Sequence, residues 1–108
     1  MIFPSKWPFQ EPPDQAVIAN PEIVYGNDWI AYVSHDLEGG GWQFHSKDKE
    51  LPSIEEAAVV SLQLILEIDA SIRDLADLPL GWRAWRQSKT LPWHKEKMSQ
   101  EQHRNDSR

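Results

Sequence analysis

The sequence predicts an α+β domain: a three-stranded antiparallel meander packed on one long helix, with a short second helix and a Trp-rich C-terminal segment. Three observations carry this. Residues 15–46 are rich in β-branched and aromatic side chains, punctuated by turn residues. Residues 53–68 open on a capping signal and continue at helical spacing. A chain of 108 residues supports one domain with one modest core. Three strands and a helix can bury one sheet face and stand alone.

Residues 1–14 carry Pro4, Pro8, Pro12 and Pro13 and read as an extended arm. Phe3, Trp7 and Phe9 are placed to pin it onto the body; a loose terminus is the alternative. Gln15–Ala19 is a short apolar run stopped by Asn20-Pro21, and Glu22–Tyr25 resumes it. Gly26-Asn27 fits a two-residue hairpin turn. Asp28–His35 follows as a strand, Asp36–Gly41 as a turn, and Trp42–Ser46 as an alternating third strand. An even number of turn residues puts Trp29, Ala31, Val33 and His35 on one face with Trp42 and Phe44. Ile30, Tyr32 and Ser34 then share the other face with Gln43 and His45, and the first, more apolar face goes against the helix. A bulge at the glycines would exchange the two sets.

Ser53 with Glu56 makes a capping box, and Glu55 and Glu56 suit the positive first turn of a helix. Ile54, Ala57, Ala58, Leu62, Ile65 and Ile68 follow helical spacing, while Val59, Val60, Leu64 and Leu66 widen the apolar arc. Ser71 caps a short helix to about Asp77, broken by Leu78-Pro79-Leu80-Gly81. On a helical turn, Trp82 and Trp85 would lie together, as would Arg83 and Arg86. The predicted domain therefore spans residues 15–94, and the polar residues 95–108 read as a disordered tail.

Charge is unevenly distributed. From Glu11 to Asp77 there are 14 acidic and 3 basic residues, a net −11. From Leu78 to Arg108 there are 3 acidic and 7 basic, a net +4, and with Lys6 the chain totals −6. An acidic body argues against nucleic-acid binding and suits a basic protein partner, although solubility alone also explains such an excess. With no cysteine, no apolar run of membrane length and no signal-peptide core at Met1–Pro8, a cytoplasmic protein is expected.

Gly81–Trp93 holds three of the six tryptophans beside Arg83, Arg86 and Lys89. Such a stretch is either a recognition surface or the lid of a small core. Trp82 and Trp85 are expected mostly in the core, with the arginines pairing to Asp74, Asp77 or Glu67. Arg83, Arg86 and Trp93 are the candidates for recognition, and Glu55, Glu56, Asp74 and Asp77 the carboxylates that attract a basic partner. His35 and His45 are the only candidates for a pocket or acid/base role, but the predicted register puts them on opposite faces. No third ligand accompanies them, so no metal and no cofactor are expected. Gly39-Gly40-Gly41 lacks the lysine and helix of a phosphate loop.

Ala16-Val17-Ile18, Tyr25-Gly26, Ile30–Asp36 and Gly41-Trp42-Gln43-Phe44 together resemble small bacterial proteins of unknown function. Asp77–Arg86 with Pro92-Trp93 is similar to the C-terminal signature of one branch. Similar domains are grouped with immunity proteins of bacterial toxin systems. The resemblance spans about residues 15–94 and implies a protein-binding function without catalytic residues. A non-enzymatic, immunity-like binding module is the leading expectation. A small-molecule site or enzyme under the Trp-rich segment, using His35 or His45, is the alternative. An accessory domain acting through its two ends is a third.

Overall fold

The structure, a computed structural model, describes residues 7–47 and 55–98. Its centre is a six-stranded mixed sheet, not a three-stranded meander on one long helix. The strands are β1 (Ala16–Ala19), β2 (Ile30–His35), β3 (Trp42–Ser46), β4 (Ala58–Ser61), β5 (Trp82–Trp85) and β6 (His94–Lys97). They lie in the order β4-β1-β3-β2-β5-β6. β1 and β3 run parallel; the other neighbours are antiparallel. Among the described residues three short helices accompany the sheet: α1 (Pro21–Tyr25), α2 (Leu62–Ile68) and a 3₁₀ helix (Ala70–Leu75). Among the described residues, no helix is long and apolar enough to cross a membrane.

Four local departures produce the larger sheet. Pro21 opens α1 where a strand was predicted to resume, because proline fits the first helical position. The Gly26 N–H then closes that helix on Glu22 O at 3.0 Å, and Asn27 takes a positive φ of 65°, so the pair ends a helix instead of turning a hairpin. The predicted helix 54–68 divides in two. Ala58–Ser61 pairs with β1, using the β-branched Val59 and Val60, and α2 starts only at Leu62. Ser61 caps α2 by accepting from Leu64 N at 3.1 Å. The expected cap at Ser53 lies outside the described residues, and Glu55 and Glu56 sit in an exposed turn ahead of β4. Asp69, not Ser71, caps the 3₁₀ helix, accepting from Ser71 N at 3.0 Å.

The last two departures concern the Trp-rich segment. Gly81, with φ +83°, donates its N–H to His35 O at 2.7 Å and starts β5 against β2. A strand alternates, so Trp82 and Trp85 face opposite sides instead of stacking as on a helix. Residues 95–97, assigned to the polar tail, pair with β5 as part of β6.

The β2–β3 register keeps Val33 opposite Phe44 and His35 opposite Trp42, with Tyr32 opposite His45 and Ser34 opposite Gln43. A register shift between Ile30 and Tyr32, not at the glycines, turns Ile30 into the core at 1% exposure. Val17, Val33, Trp42, Phe44 and Ala84 on this face meet Leu62, Ile65, Ile72 and Leu75 of the helical layer in one buried cluster. The arm joins it: Phe9 is buried and meets Trp42 edge-to-face at 5.3 Å, and Trp7 packs alongside. Burying a ring of this size stabilises by about 2–3 kcal/mol. Phe3 lies outside the described residues.

Candidate functional site

The sheet face opposite this cluster contributes none of its residues, although its side chains are aromatic and charged. Register alone builds a row there. His45 on β3 lies opposite Tyr32 on β2, Tyr32 opposite Trp85 on β5, and Trp85 opposite His94 on β6. Tyr32 meets His45 edge-to-face at 5.1 Å, and Trp85 stacks with His94 at 5.5 Å. Tyr32, His45 and Trp85 are half-buried and His94 is exposed, so the row is packed along its length and open on top.

A polar row runs beside it: Gln43, Ser34, Arg83 and Glu96 on the same four strands. Ser34 Oγ and Gln43 Nε2 donate to the two Asp36 oxygens at 3.1 and 2.7 Å. Arg83 Nε donates to Glu96 Oε2 at 2.9 Å, and the guanidinium lies 5.6 Å from the Trp85 ring centre. The Glu96 hydrogen bond pushes Arg83 above its ordinary pKa, so the side chain stays a fixed cation. Fixed hydrogen-bonding groups beside a line of rings suit recognition by contact.

Of the predicted recognition residues, only Arg83 belongs to this face. Arg86 is 4% exposed and turned inward. Its guanidinium donates to Ile30 O at 2.9 Å, Ser71 Oγ at 3.0 Å and Lys89 O at 3.1 Å, and pairs with Asp69. Trp93 covers it at 4.1 Å and donates Nε1–H to Ser71 Oγ at 3.1 Å. The two arginines therefore pair with Asp69 and Glu96, not with Asp74, Asp77 or Glu67. Burial pushes the Asp69 carboxyl up, but hydrogen bonds from Arg86 and Ser71 and the charge of Arg86 outweigh it and hold the group below its ordinary range.

The predicted acidic residues separate. Glu55 and Glu56 precede β4 at one sheet edge. Asp74 and Asp77 meet Lys95 on β6 at the other edge, Lys95 Nζ donating to Asp74 O at 2.8 Å and lying 3.6 Å from Asp77 Oδ1. Five strand spacings separate these edges, about 24 Å.

The histidines fall on opposite faces, as alternation requires. His35 is buried and stacked on Trp42 at 3.9 Å. Its Nδ1 donates to Leu78 O at 2.7 Å, since a carbonyl can only accept. Nε2 is left buried without a hydrogen-bond partner among the described residues, 3.5 Å from Glu11 Oε2. That same oxygen accepts from Trp42 Nε1 at 3.0 Å. A hollow of about 170 Å³ adjoins, lined by Glu11, His35, Asp77, Leu78 and Pro79 among others. Among the described residues no three His, Asp or Glu side chains are placed to hold a metal.

Trp85 and His94 were missed as surface aromatics because Trp82–Trp85 reads as a helical turn and His94 opens a polar stretch with no periodicity, at the last residue before the predicted tail. The available signal was the alternation Trp-Arg-Ala-Trp, apolar and small on one side. Compared with known proteins, the chain matches no family model, and neither the curated proteins nor the solved structures searched gave a match.

Proposed function

We propose that the chain is a non-enzymatic protein-binding module that receives a basic partner on the open face of its sheet. The observation that carries this is the row His45–Tyr32–Trp85–His94 on a face that adds nothing to the core cluster. Tryptophan, tyrosine and arginine dominate interface hot spots, and Tyr32, Trp85 and Arg83 are neighbours here. The −11 balance of residues 11–77 favours a basic partner by steering its approach. An immunity-like role, covering a basic protein's surface, is the form the family resemblance implies.

The test is affinity capture at low salt with the full chain and with Tyr32→Ala/Trp85→Ala. The expected result is a basic protein retained by the native chain and lost, by more than about tenfold in affinity, from the double variant. Equal retention by both removes the open face from the account.

A second reading, a small-ligand pocket, is favoured by one observation: His35 Nε2, without a hydrogen-bond partner among the described residues, beside the 170 Å³ hollow. Drug-sized ligands occupy roughly 300–1,000 Å³, so this site suits only a fragment of a few heavy atoms. A fragment screen read out on the His35 ring signals decides it; no fragment shifting those signals rejects the pocket.

A further inference from the structure

We propose that the partner adds an extended basic segment to the sheet as a seventh strand along β4. This rests on the protein-binding reading above and names how the partner is held.

The two sheet edges differ. β6 reads His94-Lys95-Glu96-Lys97, and lysines on an edge strand oppose the addition of another strand. β4 reads Ala58-Val59-Val60-Ser61, with no charge and two β-branched side chains. Among the described residues no strand lies beyond it. Val59 is 61% exposed and faces the open side with Ile18, its register partner, so the edge is continuous with the aromatic face.

The phase of the ladder fixes which backbone groups point outward. Leu62 N–H donates to Gln15 O at 2.9 Å, and the register runs Ser61 opposite Ala16, Val60 opposite Val17 and Val59 opposite Ile18. Antiparallel pairs alternate between bonded and non-bonded, so Val60 and Ala58 turn their polar groups to β1. Val59 turns its N–H and C=O away from β1, where a partner strand would pair with them.

Charge selects the occupant. Glu55 and Glu56 are exposed just before β4. Exposed Asp14 lies just beyond its other end, next to Pro13, whose carbonyl accepts from Gln63 N at 2.9 Å. Carboxylates at both ends of an uncharged edge match a strand with a β-branched centre and lysine or arginine at its ends. A second copy fits poorly: antiparallel self-pairing sets Glu55 and Glu56 of one chain against Asp14 of the other.

The experiment titrates the full chain at low salt with a synthetic peptide of alternating valine and threonine flanked by lysines. Amide signals and hydrogen exchange are followed. The expected result is new protection at Val59, with affinity about fivefold to tenfold lower in Val59→Pro, which removes the outward N–H and leaves the inward N–H groups of Ala58 and Val60 in place. Unchanged exchange at Ala58 and Val60 verifies that β4 stays paired. Glu55→Lys/Glu56→Lys leaves the strand intact and also weakens binding; a peptide with glutamate for lysine does not bind. The proposal is overturned if Val59 is already protected in the free chain, if Val59→Pro binds the peptide unchanged, or if Val59 becomes protected only through concentration-dependent dimerisation. If the Tyr32/Trp85 variant loses the captured partner while Val59→Pro keeps it, the binding reading stands and strand addition falls.

Discussion

Arg86 joins three parts of the chain at one buried guanidinium. It ties β2 through Ile30 O, the 3₁₀ helix through Asp69 and Ser71, and the following loop through Lys89 O. Removing one partner of such a pair strands a charge in the interior. Arg86→Ala is therefore expected to destabilise the fold by about 3–5 kcal/mol in urea unfolding. Asp69 gives the acid limb of stability. Its folded pKa lies below the unfolded value of 3.8, so its contribution is complete above that value and fades as pH falls through the folded one. Asp69→Asn is expected to be less stable near neutral pH and to lose less on acidification below pH about 4. At the arm, His35 Nε2 and Glu11 Oε2 face each other at 3.5 Å. One atom, Glu11 Oε2, faces both Trp42 Nε1 and His35 Nε2, so Glu11→Gln cannot keep an acceptor for the indole and supply an N–H to the imidazole at once. It is expected to lower stability by about 1 kcal/mol, and an unchanged melting temperature contradicts that geometry.

At the scale of elements, the junction Ser61–Leu62 governs the fold: a strand ends and a helix begins on one capping hydroxyl. Ser61→Ala is expected to cost about 1 kcal/mol, read as a lowered melting temperature. This junction also explains what could be read beforehand. The β2–β3 pair was legible because alternation, a six-residue connection and glycines at positive φ all agree locally. The sheet–helix face followed from it, and so did the placing of Tyr32 with His45. β4 was not legible. Its two valines run straight into the helical spacing of Leu62 and Ile65, so a period of two followed by one of 3.6 reads as a single broad helix. The width of that apolar arc was the sign of the merger. What settles β4 as a strand is the free edge of β1, about forty residues away in sequence. β5 escaped for a related reason, being short and held by the distant β2 more than by its own pattern, and the charged β6, paired to β5, escaped with it. Half of the aromatic row was hidden with them.

Across the whole molecule, the sheet divides labour between its faces. One carries the core cluster against the helices, and the other lifts a line of rings beside fixed polar groups. On the open face Asp36 accepts from Ser34 and Gln43, and Arg83 and Glu96 neutralise each other; Glu55 and Glu56 lie at one sheet edge and Asp74 and Asp77 at the other. Charge then sets the rate of partner approach and the rings set the residence time, so raising salt is expected to slow association while leaving dissociation nearly unchanged. The central claim is that a protein partner lies on the open face. Nuclear magnetic resonance of the chain with and without its captured partner tests it most directly. The expected result is shifted ring signals of Tyr32, His45, Trp85 and His94, with the signals of Ala70–Leu75 on the helical side unchanged; shifts confined to the helical side would contradict it.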